Sequence, residues 1–326
     1  MIKEDVLGRR FKKLRVSLTH ECNYACLYCS DTSIAHYSPI SESKPIHLLE
    51  NKRILSSIEL IQLIHRLHQE LDLHTVRLTG GEPMLYPNLL SVVAALKSIQ
   101  VPNIAMTTNG HSFYSLAEQL KNEGLTSVNI SIDGLDPIIF RKMSRRNGVE
   151  NVLRSIDVAI QLGLVTKLNT VIMRGVNDSQ ILPLLDFAIN KGIVIRFLEL
   201  MPMGPLHQTY KDLFYSETEI LEQISAKYPI QLLKKDTSST ARYWSVGSKT
   251  AFGIIANEST PFCSDCDRLR LDSYGNIYGC LSNLHPINVS KDVDSNLLKS
   301  SLIKAMNDKQ KDNFKGNFKT MQSIGG

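Results

Sequence analysis

All six cysteines of the chain fall into two sets of three. Cys22, Cys26 and Cys29 are spaced C-x3-C-x2-C, and Cys263, Cys266 and Cys280 are spaced C-x2-C-x13-C. Thiolates so close in sequence can converge on one metal centre, as cysteines do around iron–sulfur clusters. A cubane cluster held by four protein thiolates is closed, so a set of three leaves one iron for a ligand from outside the protein. The alternative for the first set is a tetrahedral zinc site completed by His20 or His36, although structural zinc more often draws on two separated ligand pairs. For the second set it is a zinc ribbon with one ligand missing, with His285 the nearest histidine in sequence. Two triplets in one chain are better explained by two cubane clusters, each with an open iron.

Other residues could grip a ligand beside those centres. Gly80-Gly81-Glu82-Pro83 directly follows the strand-like run Val76–Thr79. Glycines without a Cβ let a ligand approach the backbone, and a neighbouring carboxylate can accept from an ammonium group. On its own such a turn is ordinary. Arg268-Leu269-Arg270 starts just past Cys266, and side chains at i and i+2 of a strand share a face. Arg268 and Arg270 would then point together, and the planar guanidinium fork suits phosphate or carboxylate. A solvated charged face is the plain alternative. Lys167 and Asn169 share a face by the same rule. Arg15, Arg77 and Arg196 fall inside predicted strands, where charge is costly unless paired or facing a polar cavity. Turned into a barrel they would make a basic interior; salt bridges to carboxylates such as Glu199 are the alternative.

The elements that must position these residues follow a regular alternation. The run Leu14–Thr19 reads as a strand, with the first cysteine set on the loop at its C-terminal end. Residues 30–55 read as a long loop. A helical stripe then runs from Ile58 to Leu71, and strand and helix patterns alternate through the strand Val194–Leu200. Repeated β-α units predict a parallel sheet with helical crossovers. The fold class expected is α/β, a partial, open (β/α)6 TIM-like barrel, with a doubly wound flat sheet as the second choice. In either, the functional face is the C-terminal end of the strands. The cysteine loop, the Gly-Gly-Glu-Pro turn, Thr107, Asp133 and Met201 fall at or near that end. Past Pro205 the pattern changes to a helix near 217–227 and strand-like runs at Arg242–Val246 and Phe252–Ala256, which suggest a smaller antiparallel element. A boundary is therefore expected near residue 205, dividing a barrel (1–205) from a smaller C-terminal α+β domain (206–326) that carries the second cluster and ends in Gly325-Gly326.

With 326 residues, 43% of them hydrophobic, the chain can bury a substantial core. No apolar run approaches the ~18 residues of a membrane span. Met1-Ile2-Lys3-Glu4-Asp5 lacks the apolar core of a secretory signal, so a cytoplasmic location is expected. Clustered cysteines fit that compartment, where thiols stay reduced and bind metal. The formal net charge of +5 allows an anionic substrate but is too small for a dedicated nucleic-acid binder.

The first cysteine set with its Gly-Gly-Glu-Pro turn resembles the radical S-adenosylmethionine (SAM) superfamily. Further motifs narrow the resemblance: Arg-Leu-Thr-Gly-Gly-Glu-Pro at 77–83, Thr-Thr-Asn-Gly at 107–110, Val-Asn-Ile-Ser-Ile-Asp at 128–133, Arg-Gly-Val-Asn at 174–177 and Arg-Phe-Leu-Glu-Leu-Met-Pro at 196–202. The most specific are the second cysteine set with Arg-Leu-Arg at 268–270 and the terminal Gly-Gly. Over nearly its whole length the chain resembles the GTP 3′,8-cyclase family of molybdenum cofactor biosynthesis.

That resemblance implies two [4Fe–4S] clusters and SAM as cofactors. The first cluster, on Cys22, Cys26 and Cys29, would bind SAM with help from Tyr28, Gly80, Gly81, Glu82, Ser131 and Met201. The second, on Cys263, Cys266 and Cys280, would take the guanine of GTP on its open iron. Arg15, Arg77, Thr107, Lys167, Arg196 and the Arg268-Leu269-Arg270 run would hold GTP, with Arg15, Arg268 and Arg270 as catalytic residues. The Gly325-Gly326 tail would fold toward the active site. The reaction implied is removal of the ribose C3′ hydrogen by a radical derived from SAM, then C3′–C8 bond formation and reduction to 3′,8-cyclo-7,8-dihydro-GTP. The partners implied are GTP, a one-electron donor such as flavodoxin, a downstream cyclic pyranopterin monophosphate synthase, and a second copy in a homodimer. Neither a membrane nor a nucleic acid is expected. The chain departs from the family pattern at Ser30-Asp31, in the length of loop 30–55 and at Thr75. Two other readings are a radical SAM enzyme with an auxiliary cluster acting on a peptide or RNA, and a two-zinc interaction protein.

Overall fold

A computed structural model describes residues 4–5, 7–30, 53–234, 239–247, 249–283, 285–290, 294–310, 312–316 and 318–321. Most of loop 30–55 and the Gly325-Gly326 tail lie outside the described residues. The first half alternates as its periodicity predicts. β1 (Lys13–Ser17) leads into the first cysteine loop, followed by α1 (Ser57–Leu71), β2 (Thr75–Thr79), α2 (Leu89–Ser98) and β3 (Asn103–Thr108). Then come α3 (Ala117–Glu123), β4 (Ser127–Ser131), α4 (Pro137–Ser144), α5 (Val149–Gln161), β5 (Val165–Ile172), α6 (Ile181–Lys191) and β6 (Val194–Glu199). α1 starts at a capping box, in which Ser56 Oγ accepts from the Glu59 N–H and the Glu59 carboxylate accepts from the Ser56 N–H. α4 interrupts the expected strand-to-helix step. It begins at Asp136, whose carboxylate accepts from the Ile138 and Ile139 N–H groups, with Pro137 at its first position.

β1 to β6 are parallel and lie side by side in sequence order. Strand pleating then sends alternate residues to opposite faces. Val16, Leu78, Met106 and Val128 occupy one lateral row, and all are fully buried in the core. The other face carries Arg15, Arg77, Thr107, Ser131, Asn169 and Arg196.

The C-terminal part comprises α7 (Tyr210–Leu213), α8 (Glu217–Ser225), β7 (Ile230–Leu232), β8 (Arg242–Val246), β9 (Lys249–Ile255), β10 (Arg268–Leu271), β11 (Asn276–Tyr278), β12 (Ile287–Asn288) and α9 (Ser295–Asn307). It does not build a sheet of its own. The strand order is β12-β11-β10-β1-β2-β3-β4-β5-β6-β9-β8-β7, so the chain crosses the barrel to flank both of its edges. β9 joins β6 and β10 joins β1, both in parallel, while β7, β8, β11 and β12 add antiparallel margins. The expected antiparallel element is present as β7, β8 and β9, but it is continuous with the barrel sheet. β9 can run parallel to β6 because the path between them is long and includes β7 and β8, and β10 can run parallel to β1 because most of the chain separates them. The sheet stays open, as a partial barrel. Among the described residues no helix is long and apolar enough to cross a membrane.

Phe197 on β6 is fully buried, 6.3 Å from Phe252 on β9, at the join between barrel and C-terminal part. Phe197→Ala should cost about 3–5 kcal/mol through the cavity it leaves. Chemical denaturation should show this as a lower midpoint; an unshifted midpoint would mean that the join is not packed as described.

Candidate active site

The strand ends bring both cysteine sets to one cavity of about 290 Å³, which all six cysteines line. Arg15, Arg268 and Arg270 line it as well. So do Tyr28, Gly80, Gly81, Thr107, Ser131 and Met201. The sequence motifs therefore converge, although the two cysteine sets lie at opposite ends of the chain.

The glycines of the Gly-Gly-Glu-Pro turn have a second duty. The turn is zipped to the stem of the first cysteine loop: the Gly81 N–H donates to Thr19 O at 2.7 Å, and the Glu82 N–H to Glu21 O at 2.8 Å. A Cβ on Gly81 would sit 2.1 Å from Glu21 O, and one on Gly80 2.5 Å from Thr19 O. Close approach of the chain to itself thus demands glycine here, beyond the approach of any ligand.

Glu82 is placed differently from expectation. It is 1% exposed and does not line the cavity. Its carboxylate accepts from Thr108 Oγ1 at 2.6 Å, from the Asn109 N–H at 2.7 Å and from the Met84 N–H at 3.1 Å. It ties the turn after β2 to the end of β3, and burial pushes it up to about 7 against those three donors. The side chain of Leu269 faces the other way. Pleating turns it away from Arg268 and Arg270, and its fully buried side chain joins the core in register with Leu14.

Arg77, Lys167 and Arg196 do not line the cavity but lie on the same inner face. Arg270, Arg15 and Arg77 stand in lateral register on β10, β1 and β2. The Arg77 guanidinium donates to Met106 O, and Arg196 Nε donates to Asn169 Oδ1 at 3.0 Å. Lys167 Nζ stands 5.6 Å over the Tyr243 ring. Glu199 neutralises none of them, because it accepts from the Glu217, Glu258 and Ser259 N–H groups. The interior is accordingly basic. Burial, and then Arg270, Arg268, Arg77 and Arg196, hold Arg15 well below the usual guanidinium range. Arg77 is lowered to about 9 by burial and by Arg196 and Arg268, and Arg270 to about 10 by burial and Arg268. Such groups remain charged at neutral pH, so the shifts register burial first and then repulsion, and a bound anion would relieve the repulsion.

The thiols differ between the sets. Burial pushes Cys22 up to about 11, and Cys26 well above the ordinary thiol value, the latter with help from Asp133 and the other two cysteines. In the second set burial and the neighbouring thiols take Cys263 to about 11. Burial also opposes ionisation of Cys266, but Arg268 and Lys309 outweigh it and bring that thiol down to about 6. Lys309 is buried and donates to the carbonyls of Arg268 and Gly279, and Arg9 donates to Cys263 O. The histidines proposed for zinc do not join in. His20 stacks on Tyr274 at 5.2 Å with Nε2 3.1 Å from Ser273 Oγ, His285 is exposed away from the cavity, and His36 lies outside the described residues.

Of the other cavity residues, Thr107, Asn109 and Asp133 belong to motifs named above and Asn257 to none. Asp133 accepts from Tyr28 Oη and from the Val171 N–H, both at 2.9 Å, and so braces the cysteine loop against β5. Asn109 Nδ2 lies 3.9 Å from Cys22 Sγ. Thr107 Oγ1 and Asn257 Nδ2 are buried without a hydrogen-bond partner among the described residues, and both residues line the cavity. Gly81→Ala should leave the far-UV circular dichroism unchanged but push the cysteine-loop stem outward. A displacement of that size can cost roughly 100-fold, which should appear as weakened SAM binding by the reconstituted protein. Unchanged SAM affinity would mean that the stem contact does not set the cavity.

Comparison with known proteins agrees with this geometry. The sequence matches the Radical SAM superfamily over residues 16–188 and Molybdenum Cofactor Synthesis C over residues 193–315. It is 35% identical to a GTP 3′,8-cyclase of Nautilia profundicola, covering 92% of this chain and 90% of that protein. A GTP 3′,8-cyclase of Helicobacter pylori is 34% identical over 92% and 91% of the two chains. Among solved structures, Streptococcus suis SuiB bound to S-adenosylmethionine superposes with a TM-score of 0.60 at 14% identity, covering 88% of this chain and 65% of that one. The anSMEcpe structure with bound AdoMet gives 0.60 at 16% identity over 88% and 80%. These two likenesses concern the fold, an open radical SAM barrel. By sequence over both halves, the chain belongs to the GTP 3′,8-cyclase family of the radical SAM superfamily.

Proposed function

We propose that this chain converts GTP to (8S)-3′,8-cyclo-7,8-dihydroguanosine 5′-triphosphate, the first step of molybdenum cofactor (molybdopterin) synthesis, using SAM and two [4Fe–4S] clusters. One observation carries the reading: the guanidinium groups of Arg15, Arg268 and Arg270 line one cavity together with both thiol triplets. The donor sets fit clusters. Each supplies three thiols and no histidine, and the Tyr24 N–H lies 3.4 Å from Cys22 Sγ, where it can stabilise ligated sulfur. When bound, SAM on a reduced cluster supplies a radical able to take hydrogen from an unactivated carbon.

The chain's own residues bind, orient and shield. Arg15, Arg268 and Arg270 would hold the triphosphate, since guanidinium forks match phosphate oxygens in pairs. Arg77, Lys167 and Arg196 lie on the same inner face and add to the attractive field. Thr107 Oγ1 and Asn257 Nδ2 offer buried donors to the nucleotide. Joining ribose C3′ to guanine C8 requires both atoms to be held in reach, so a grip at each end of the nucleotide is the main catalytic demand on the protein. Met203 and Phe262 on the cavity wall help to exclude water. In this reading residues up to about 205 form the SAM-binding domain and 206–326 the domain of the second cluster. A one-electron donor such as flavodoxin acts before the reaction and cyclic pyranopterin monophosphate synthase after it.

Anaerobic incubation of the reconstituted protein with SAM, reductant and GTP should yield 5′-deoxyadenosine and a cyclised nucleotide. Arg268→Ala should weaken GTP binding roughly 10- to 100-fold, the loss of one charged hydrogen-bond donor, while uncoupled SAM cleavage persists. Unchanged GTP affinity in that variant would contradict the assignment.

A further inference from the structure

The first cysteine loop is covered from outside by a basic helix end. The inner face of α4 packs on the loop: Phe140 meets Tyr24 edge-on at 6.0 Å, and Met143 and Ile139 share an apolar cluster with Leu27 and Tyr28. The end of α4 also hydrogen-bonds the loop backbone. The Ala25 N–H donates to Ser144 O at 3.1 Å, the Leu27 N–H to Met143 O at 3.0 Å, and Arg146 Nε to Asn23 O at 3.0 Å.

The outer side carries Arg141, Lys142 and Arg146, all exposed, with Arg145 half-buried and Ile138 79% exposed nearby. Among the described residues none of these four cations has a carboxylate partner; Lys142 donates to the carbonyl of Gly175 and Arg146 to that of Asn23. Cations in a last helical turn complement the helix dipole, which accounts for Arg141 and Lys142 locally. It does not account for the run continuing through Arg145 and Arg146. Only the thickness of one helix, about 10 Å, separates this face from the cysteine loop.

We propose that this face docks a small acidic one-electron carrier protein, which reduces the first cluster through the α4–loop contact. The inference rests on the radical chemistry proposed above, which draws one electron from outside for each SAM cleaved. The carrier loses one electron and the cluster gains it. Unmatched positive charge steers an acidic partner and sets its orientation, and Ile138 gives the docked pair an apolar contact.

The test uses the holoenzyme with both clusters; it measures flavodoxin binding by calorimetric titration, which the double variant below should weaken roughly tenfold, and with SAM and GTP present it follows 5′-deoxyadenosine formation with either dithionite or reduced flavodoxin as reductant. The double variant Arg141→Glu, Lys142→Glu should keep the dithionite-supported rate. It should lose roughly tenfold or more of the flavodoxin-supported rate at low ionic strength. Raising salt from about 20 mM to about 300 mM should slow the wild type with flavodoxin and leave the variant little changed. Equal flavodoxin-supported rates in the two proteins, whatever else the patch then binds, overturn the proposal. So does an equal loss with dithionite, which would make the patch a support of the loop and not a dock. A wild type that forms no 5′-deoxyadenosine even with dithionite overturns the underlying radical reading and this surface with it.

Discussion

Guanidinium groups facing one another in a partly dry interior are tolerated only if something neutralises them, and much of this molecule is arranged around that constraint. Arg270, Arg15 and Arg77 stand side by side because three parallel strands hold them in register. Burial and mutual repulsion depress all three. Glu199, the carboxylate expected from the sequence to pair with them, accepts from three backbone N–H groups instead. Burying like charge is expensive, and a bound anion would relieve that cost. A nucleoside triphosphate is the ligand that the family supplies.

The same constraint explains the route of the chain. β10 carries two of the arginines and lies between Cys266 and Cys280 of the second cysteine set, and it adds to the open edge beside β1. β9 adds at the far edge beside β6. The C-terminal part thereby brings its thiols and arginines over the cavity that the barrel strands open. The two thiol sets meet different surroundings there. Cys22 and Cys26 are held protonated by burial, so ligation of metal would have to drive off their protons. Cys266 sits beside Arg268 and Lys309 and ionises readily.

Much of this was legible in the sequence, because local patterns carried it. Strand-and-helix alternation predicted the barrel, and i, i+2 spacing predicted that Arg268 and Arg270 share a face. Pleating also excluded Leu269 from that face, an inference available from the same rule. α4 was too short to show an apolar stripe, although Asp136-Pro137 is a helix-start signal that could have found it. Contacts distant in sequence were not legible. Nothing local announced that Glu82 would brace Thr108 and Asn109, that Asp133 would meet Tyr28, or that Lys309 would sit between Arg268 and Gly279. Nor could hydrophobic periodicity reveal that strands from the end of the chain flank both edges of a barrel built at its start.

The central claim is that the arginine face, and not the base site alone, holds the substrate. Calorimetric titration of the anaerobic holoenzyme with guanosine, GMP, GDP and GTP at one ionic strength tests it most directly. The account predicts affinity that climbs with each added phosphate and steepens as salt is lowered. Equal affinity for guanosine and GTP would contradict it.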